Sequence, residues 1–407
     1  MSRVVFLIPP AISHMNCTLG VAKELADRGE EVIYFSSEAF REKIEGLGAA
    51  WRCYESGIQW YEGDTMDVEH FGLEGLVKQA GAFLFGSKRL SKIMIDLVAQ
   101  EKPEYIVHDS YSLWGKYIVR QLKVPAVASI PSTAYNKNFM YKDPEGFVKY
   151  ILRSADTGLS TKLPEIIEKI EQTFRKSYEL DDLCDIFVAK GEVNLVYTSK
   201  YFQIHADTFD SSYKFVGAST YHRSDAPSFP YDLLDGRPLI YIAMGGVVNR
   251  HAPFYRQCLE AFKGSEYQIV LSLGKIDINE LGEIPDNFIV EKYIPQLELL
   301  KRAKLFVTHG GINSVTEGLA NDVPLLCVPF LSDQCWVSHR VESLGAGIYL
   351  EHGKVTSEEI RRAAKKIIDD GAYSENSALI GESLRSAGGY KKAADEVLAF
   401  KREKGIL

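Results

Sequence analysis

Several features that would mark the chain for a membrane, a nucleic acid or redox chemistry are missing. No run of about 18 apolar residues occurs, so no segment is built to cross a bilayer as a helix and no integral membrane association is expected. The opening run Arg3-Val-Val-Phe-Leu-Ile8 meets Pro9-Pro10 and is too short for a signal-peptide core. Cysteine is sparse: Cys17, Cys53, Cys184, Cys258, Cys327 and Cys335 lie far apart, with no Cys-x-x-Cys and no zinc spacing. They read as reduced thiols, several of them buried, of a cytoplasmic protein. Positive charge is in deficit. A net charge of −8 argues against nucleic acid or anionic lipid as a non-specific partner. Gly-x-Gly-x-x-Gly is absent after the first strand-like run, which disfavours an NAD enzyme. Repeats and low-complexity tracts are absent too.

What is present is a long alternation. A chain of 407 residues exceeds the size at which one hydrophobic core stops growing, so two domains are expected. Short apolar runs suit strands at Val4–Ile8, Val32–Ser36, Ala50–Tyr54, Tyr105–His108, Ala126–Ile130 and Leu195–Tyr197. Helical periodicity fills Leu19–Arg28, Leu73–Gln100 and Leu113–Lys123 between them. The rhythm returns with strands at Leu239–Ala243, Gln268–Ser272, Phe288–Glu291, Leu305–Thr308 and Leu325–Val328. Helices are expected at Pro253–Lys263, Leu297–Ala303, Ser314–Ala320 and Trp336–Leu344, and the last 50 or so residues read as all-helical. Uninterrupted apolar strands alternating with helices predict an α/β protein of two Rossmann-like, doubly wound domains facing each other across a cleft. The polar, proline-bearing stretch 218–236 reads as a linker between an N-terminal domain, 1–217, and a C-terminal domain, 237–407.

Ligands of such sheets bind beyond the carboxyl ends of strands. After Thr308 come His309-Gly310-Gly311-Ile-Asn313-Ser314-Val-Thr-Glu317. The glycines let backbone approach a ligand, and a helix starting near Asn313 or Ser314 offers free N–H groups to phosphate. His309 suits a diphosphate oxygen, and Glu317 suits the paired hydroxyls of a ribose. Gly-Gly alone would be an ordinary tight turn; the combination is more specific. Asp333 and Gln334 follow the next strand and suit a hexose, though Asp333 alone could be a helix cap. Tyr293, before Ile294-Pro295-Gln296, could stack on a base or simply fill a core. Gly245 and Gly246 form another glycine turn after a strand. In the first half, His14 follows a strand and precedes the expected helix, a position that favours the uncharged ring a general base needs. Asp109 lies beyond another strand. Either residue alone could be structural. His108 alternates to the opposite face. His70, His205, His222, His251, His339 and His352 join no readable arrangement.

From Tyr293 to Gly347 the chain resembles the donor-binding signature of family-one UDP-glycosyltransferases, particularly the bacterial macrolide and flavonoid type. It carries aromatic-x-Pro-Gln as Tyr293-Ile-Pro-Gln296, His-x-Gly-x-Asn-Ser-x-x-Glu as His309 to Glu317, and the sugar pair as Asp333-Gln334. The resemblance implies the GT-B fold. It assigns base stacking to Tyr293, diphosphate contacts to His309, Asn313 and Ser314, ribose contacts to Glu317 with Gln296, and sugar contacts to Asp333 and Gln334. It also implies that His14 is the base and that Asp109 orients it. Departures are Tyr293 where many members have Trp, Cys335 and Val337 where many have Pro and Asn, and Cys17 where the signature has Pro. The implied activity is inverting transfer of glucose from UDP-glucose, or a related UDP-hexose, to a small hydroxyl-bearing acceptor, as in natural-product glycosylation. No cofactor is expected beyond the donor itself, and no metal, since Asp-x-Asp is absent. Aromatic and other large apolar residues in Gly57–Gly86 and Ser132–Thr157 (Trp60, Tyr61, Phe71, Phe83, Phe85, Tyr135, Phe139, Met140 and Phe147) favour an apolar or planar acceptor, although many of them suit a core equally. The alternatives are a UDP-sugar epimerase, a lipid-linked sugar transferase on the same fold, or a sugar-nucleotide-binding protein without catalysis.

Overall fold

The computed structural model describes residues 2–54, 73–152, 158–178, 180, 183–186, 188–221, 228–245 and 252–406. They form two compact units, one from the chain up to Tyr221 together with the segment from Ala387 onward, the other from the residues between.

The first unit is built on strands β1 (Arg3–Leu7), β2 (Glu31–Ser36), β3 (Ala50–Cys53), β4 (Tyr105–Asp109), β5 (Ala126–Ile130), β6 (Val193–Val196) and β7 (Tyr213–Phe215). Their order in the sheet is β3-β2-β1-β4-β5-β6-β7, with every neighbouring pair parallel. Helices α1 (Ile12–Asp27), α2 (Arg41–Glu45), α3 (Leu73–Gln100), α4 (Leu113–Leu122), α5 (Lys137–Lys142), α6 (the single turn Pro144–Gly146) and α7 (Gly158–Tyr178) connect them. Helix α1 shows why the sequence folds this way. Met15, Leu19, Ala22 and Leu25 recur at helical spacing and are buried against the sheet. The helix stops where Gly29 takes φ +91°. There the N–H of Gly29 bonds the carbonyl of Ala26, and that of Glu30 bonds Leu25 across the turn, at 3.0 Å each. The helix starts seven residues before the expected Leu19, because Ile12–Thr18 continue the same turn geometry without a strong cap.

The second unit repeats the plan. Strands β8 (Leu239–Ala243), β9 (Gln268–Ser272), β10 (Phe288–Glu291), β11 (Ala303–Thr308), β12 (Leu325–Cys327) and β13 (Gly347–Tyr349) lie in the order β10-β9-β8-β11-β12-β13, again parallel throughout. Its helices are α8 (Ala252–Phe262), α9 (Gln296–Leu300), α10 (Ile312–Ala320), α11 (Ser332–Ser343), α12 (Ser357–Asp369) and α13 (Gly371–Ser386).

The last helix, α14 (Gly389–Glu403), corrects the expected domain limits. The sequence reading ends the second domain at residue 407 and puts 218–221 in a linker; both segments belong to the first unit. Ala393, Ala394, Val397 and Phe400 of α14 are buried in the same cluster as Leu19, Val21 and Leu25. Burying Val397 and Phe400 contributes roughly 2 kcal/mol each. Glu30, itself buried, accepts from Lys401 Nζ and from the Tyr105 hydroxyl at 2.7 Å each, a polar lock on the same contact. Tyr221 packs edge-on against Tyr390, with ring centroids 5.4 Å apart.

Candidate active site

In a doubly wound sheet the strand order reverses once, and the two strands flanking that point send their chains to opposite faces, leaving a crevice at their carboxyl ends. In the first unit the flanking strands are β1 and β4, paired so that Leu7 lies opposite His108. Residues at and beyond their carboxyl ends are thereby brought together. His14, in the first turn of α1, places Nδ1 2.9 Å from Oδ2 of Asp109. The two are 95 positions apart in sequence. His14 retains 20% of its side-chain exposure while Asp109 has none. A fully buried carboxylate without a partner would be costly. Here one oxygen meets the imidazole and the other accepts the backbone N–H of Tyr111 at 2.8 Å. Nδ1 is the ring nitrogen turned to the carboxylate, and Nε2 lies on the opposite side of the ring. His108, by contrast, is buried beside Gly115, its Nδ1 3.1 Å from the carbonyl oxygen of Asp109. Desolvation chiefly, with Lys116 nearby, pushes its pKa down to about 4. It serves the core, as the strand alternation predicts.

The second unit has its own reversal between β8 and β11, with Ala243 opposite Thr308. Beyond them lie Gly245 and His309. A Cβ on Gly245 would come within 2.5 Å of the His309 ring, and one on Gly311 within 2.4 Å. The glycines thus form a slot for the imidazole. Gly310 has φ +80°, and a Cβ there would strike Ser338 Oγ at 2.2 Å. Desolvation by the surrounding protein pushes the pKa of the half-buried His309 down to about 4, so the ring is neutral at physiological pH. Its Nδ1 lies 3.3 Å from Thr308 Oγ1. Helix α10 begins at Ile312 with Gly311 as its cap residue. Asn313 and Ser314 therefore sit in the first turn rather than at the cap, and that turn is where N–H groups lack partners within the helix. Gly246 lies outside the described residues.

Glu317 is buried, and Gln296 Nε2 donates to its Oε2 at 2.7 Å. Tyr241, buried and stacked on Phe306 with centroids 4.9 Å apart, donates its hydroxyl to Gln296 Oε1 at 3.3 Å. This relay from strand to carboxylate was not legible in sequence, because Tyr241 sits in an apolar strand where any aromatic reads as core. Tyr293 is 54% exposed. Gln334 departs from the expected pattern of donors and acceptors. Its side-chain oxygen accepts the backbone N–H groups of Phe330 at 2.9 Å and Leu331 at 3.0 Å, so its amide N–H groups are what it can offer a ligand. Asp333 sits beside it in the first turn of α11.

Of the large apolar residues expected to line an acceptor site, Tyr135, Phe139, Met140 and Phe147 are buried, Phe83 packs beside the Leu84 cluster, and Phe85 is exposed. Trp60, Tyr61 and Phe71, with His70, His222 and His251, lie outside the described residues. Sequence reading passed over Tyr111, whose N–H closes a turn onto Asp109. An Asp two residues before a turn amide is the available signal.

The family model described as UDP-glucoronosyl and UDP-glucosyl transferase matches residues 239–383. A relative named as an uncharacterised UDP-glucosyltransferase, YojK of Bacillus subtilis, is 35% identical over 407 residues, spanning 99% of this chain and 98% of the relative. The oleandomycin glycosyltransferase of Streptomyces antibioticus is 28% identical over 96% of this chain and 88% of its own. The solved calicheamicin glycosyltransferase CalG4 matches with a TM-score of 0.78 at 23% identity, covering 98% of both chains. That likeness establishes the fold as GT-B. These relatives are named as transferases, which lends nothing to the epimerase or binding-protein alternatives.

Proposed function

The chain belongs to the UDP-glucoronosyl and UDP-glucosyl transferase family and is a UDP-glycosyltransferase, and from that premise we propose that it moves glucose from UDP-glucose to a hydroxyl of a small apolar or aromatic acceptor, with inversion and without a metal ion. The observation that carries the mechanism is the 2.9 Å contact between His14 Nδ1 and Asp109 Oδ2.

Asp109 holds the Nδ1–H tautomer, so Nε2 takes the acceptor proton. The acceptor oxygen forms its bond to the anomeric carbon as the bond from that carbon to the UDP oxygen breaks. Developing imidazolium charge is balanced by the buried carboxylate, and UDP leaves with the bonding electron pair. In the second unit, neutral His309 donates to the diphosphate, and the first turn of α10 with Asn313 and Ser314 stabilises its charge. Glu317, held by Gln296, accepts from the ribose hydroxyls, which favours a ribonucleotide. Asp333 supplies acceptors and Gln334 donors to a fully hydroxylated hexose. Tyr293 stacks on the uracil. One displacement inverts the anomeric centre, so an α-linked donor gives a β-glycoside.

The test is a mass-spectrometric product assay with UDP-glucose, a mixed panel of phenols and macrolides, and EDTA. A product one hexose heavier, absent with His14→Ala, is the expected result. Product only after a divalent ion is restored would overturn the metal-free step. Neither product nor UDP-glucose binding would overturn the donor assignment.

A further inference from the structure

Tyr111 touches both members of the His14–Asp109 pair, yet no step above uses it. It follows β4 in the turn that leads to α4. Its backbone N–H donates to Asp109 Oδ1 at 2.8 Å, the oxygen opposite the one facing His14. Its ring stands edge to face with the His14 imidazole, centroids 5.3 Å apart and planes at 83°. Its hydroxyl donates to Ser132 Oγ at 3.0 Å, and Ser132 passes the chain on to the carbonyl of Thr133 at 3.2 Å. Ser132 is buried just beyond β5, while Tyr111 itself keeps 36% of its surface. Filling a core does not account for a ring left so exposed and yet fixed at its far end.

Geometry supplies a reason. The His14 ring turns about its Cβ–Cγ bond, and that turn carries Nδ1 and Nε2 together through an arc that a single hydrogen bond at Nδ1 resists only softly. A ring packed against the imidazole, pinned at its own hydroxyl, narrows that arc. We propose that Tyr111 is a positioning residue that holds the His14 ring in its proton-accepting orientation, with Ser132 as its anchor. This rests on the assignment of His14 as the base. The main-chain bond to Asp109 survives any side-chain change, so substitutions isolate the ring and the hydroxyl.

The test is steady-state kinetics of the full chain with UDP-glucose and a phenolic acceptor, together with UDP-glucose hydrolysis in the acceptor's absence. Tyr111→Ala is expected to lower kcat about 30-fold, as misplacement of a reacting group does, with both KM values within about threefold. Tyr111→Phe is expected to lower kcat about threefold. Ser132→Ala should match it, and the double variant should be no worse, because both remove one shared bond. Hydrolysis should slow in parallel, and nitrogen-15 spectra of the resting enzyme should show the His14 ring losing its single tautomer in Tyr111→Ala. Unchanged kcat in Tyr111→Ala alongside an inactive His14→Ala would overturn the proposal and leave the base intact. So would a rise in acceptor KM alone with hydrolysis unchanged, which would make the ring an acceptor wall. An active His14→Ala would sink both readings. If Tyr111→Ala does not fold, Tyr111→Phe and Ser132→Ala decide: equal losses in kcat support the role, and wild-type kcat in both overturns it.

Discussion

The two units solve one topological problem with opposite chemistry. Each reverses its strand order between its first and fourth strands, β1 with β4 and β8 with β11. Each places a histidine in the crevice so formed. In the first unit the crevice brings His14 a buried carboxylate at 2.9 Å and leaves the ring partly open. In the second it packs the half-buried His309 against Gly245 and Gly311, and desolvation alone holds the ring neutral. In the proposed mechanism one ring accepts a proton beside a charge that steadies it afterwards, and the other remains an uncharged hydrogen-bond donor. The proposal thus draws a base or an anion cradle from the same fold point, according to whether the neighbouring strand end carries Asp or Gly.

This contrast predicts that damage to the first crevice appears in kcat and damage to the second in donor affinity. His14→Ala is expected to lower kcat about a thousandfold while UDP-glucose binding, measured by calorimetry, stays within twofold or so. A comparable loss of binding would break the contrast. Asp109→Asn should lower kcat on the order of a hundredfold, since the amide can hold the wrong tautomer while preserving shape. Wild-type turnover in that variant would remove Asp109 from the mechanism. In the second unit, Glu317→Gln should weaken UDP-glucose binding about 30-fold with little change in kcat once the enzyme is saturated. The same variant should narrow any preference for UDP-glucose over its deoxyribose counterpart. Equal loss on both donors would argue that Glu317 does not read the ribose.

The neutral histidines give a pH test. His108 and His309 both have folded pKa values near 4, whereas an unfolded histidine titrates near 6.5. The unfolded chain therefore takes up protons first as pH falls. Stability from this source is complete above about pH 6.5 and is lost progressively toward pH 4. Urea midpoints should imply a loss on the order of 2 kcal/mol per ring between pH 7.5 and pH 5. A His108→Gln variant should lose correspondingly less, and an identical slope would show that His108 is not held neutral. The smallest effect is expected for Tyr241→Phe. Removing a 3.3 Å bond to Gln296 should weaken donor binding about threefold and leave kcat untouched.

Much of the framework was legible because it rests on local rules. Apolar runs located eleven of the thirteen strands among the described residues; β7 (Tyr-Lys-Phe) and β13 (Gly-Ile-Tyr) are as short as β12 but lack its uninterrupted apolar run. Helix α3 matched its expected limits because its pattern is long. The start of α1 was misplaced because Ala11 offers no side-chain cap to mark it. The reach of α14 back to the first unit could not be read, since an amphipathic helix does not state which surface covers its apolar face.

By itself the sequence determined the kinds of groups available, namely a histidine and an aspartate each just past a strand, a glycine-flanked histidine, and a carboxylate at helical spacing from Asn313. Periodicity and turn chemistry are local, so they are written in neighbouring residues. Tertiary structure decided what each group meets. It joined His14 to Asp109 across 95 positions, tied Glu317 to Gln296 and through it to Tyr241, turned the Gln334 oxygen to the backbone N–H groups of Phe330 and Leu331, and set the Tyr111 ring against His14. Those outcomes depend on strand register and on which buried polar atoms must find partners, and only the packed sheet specifies either.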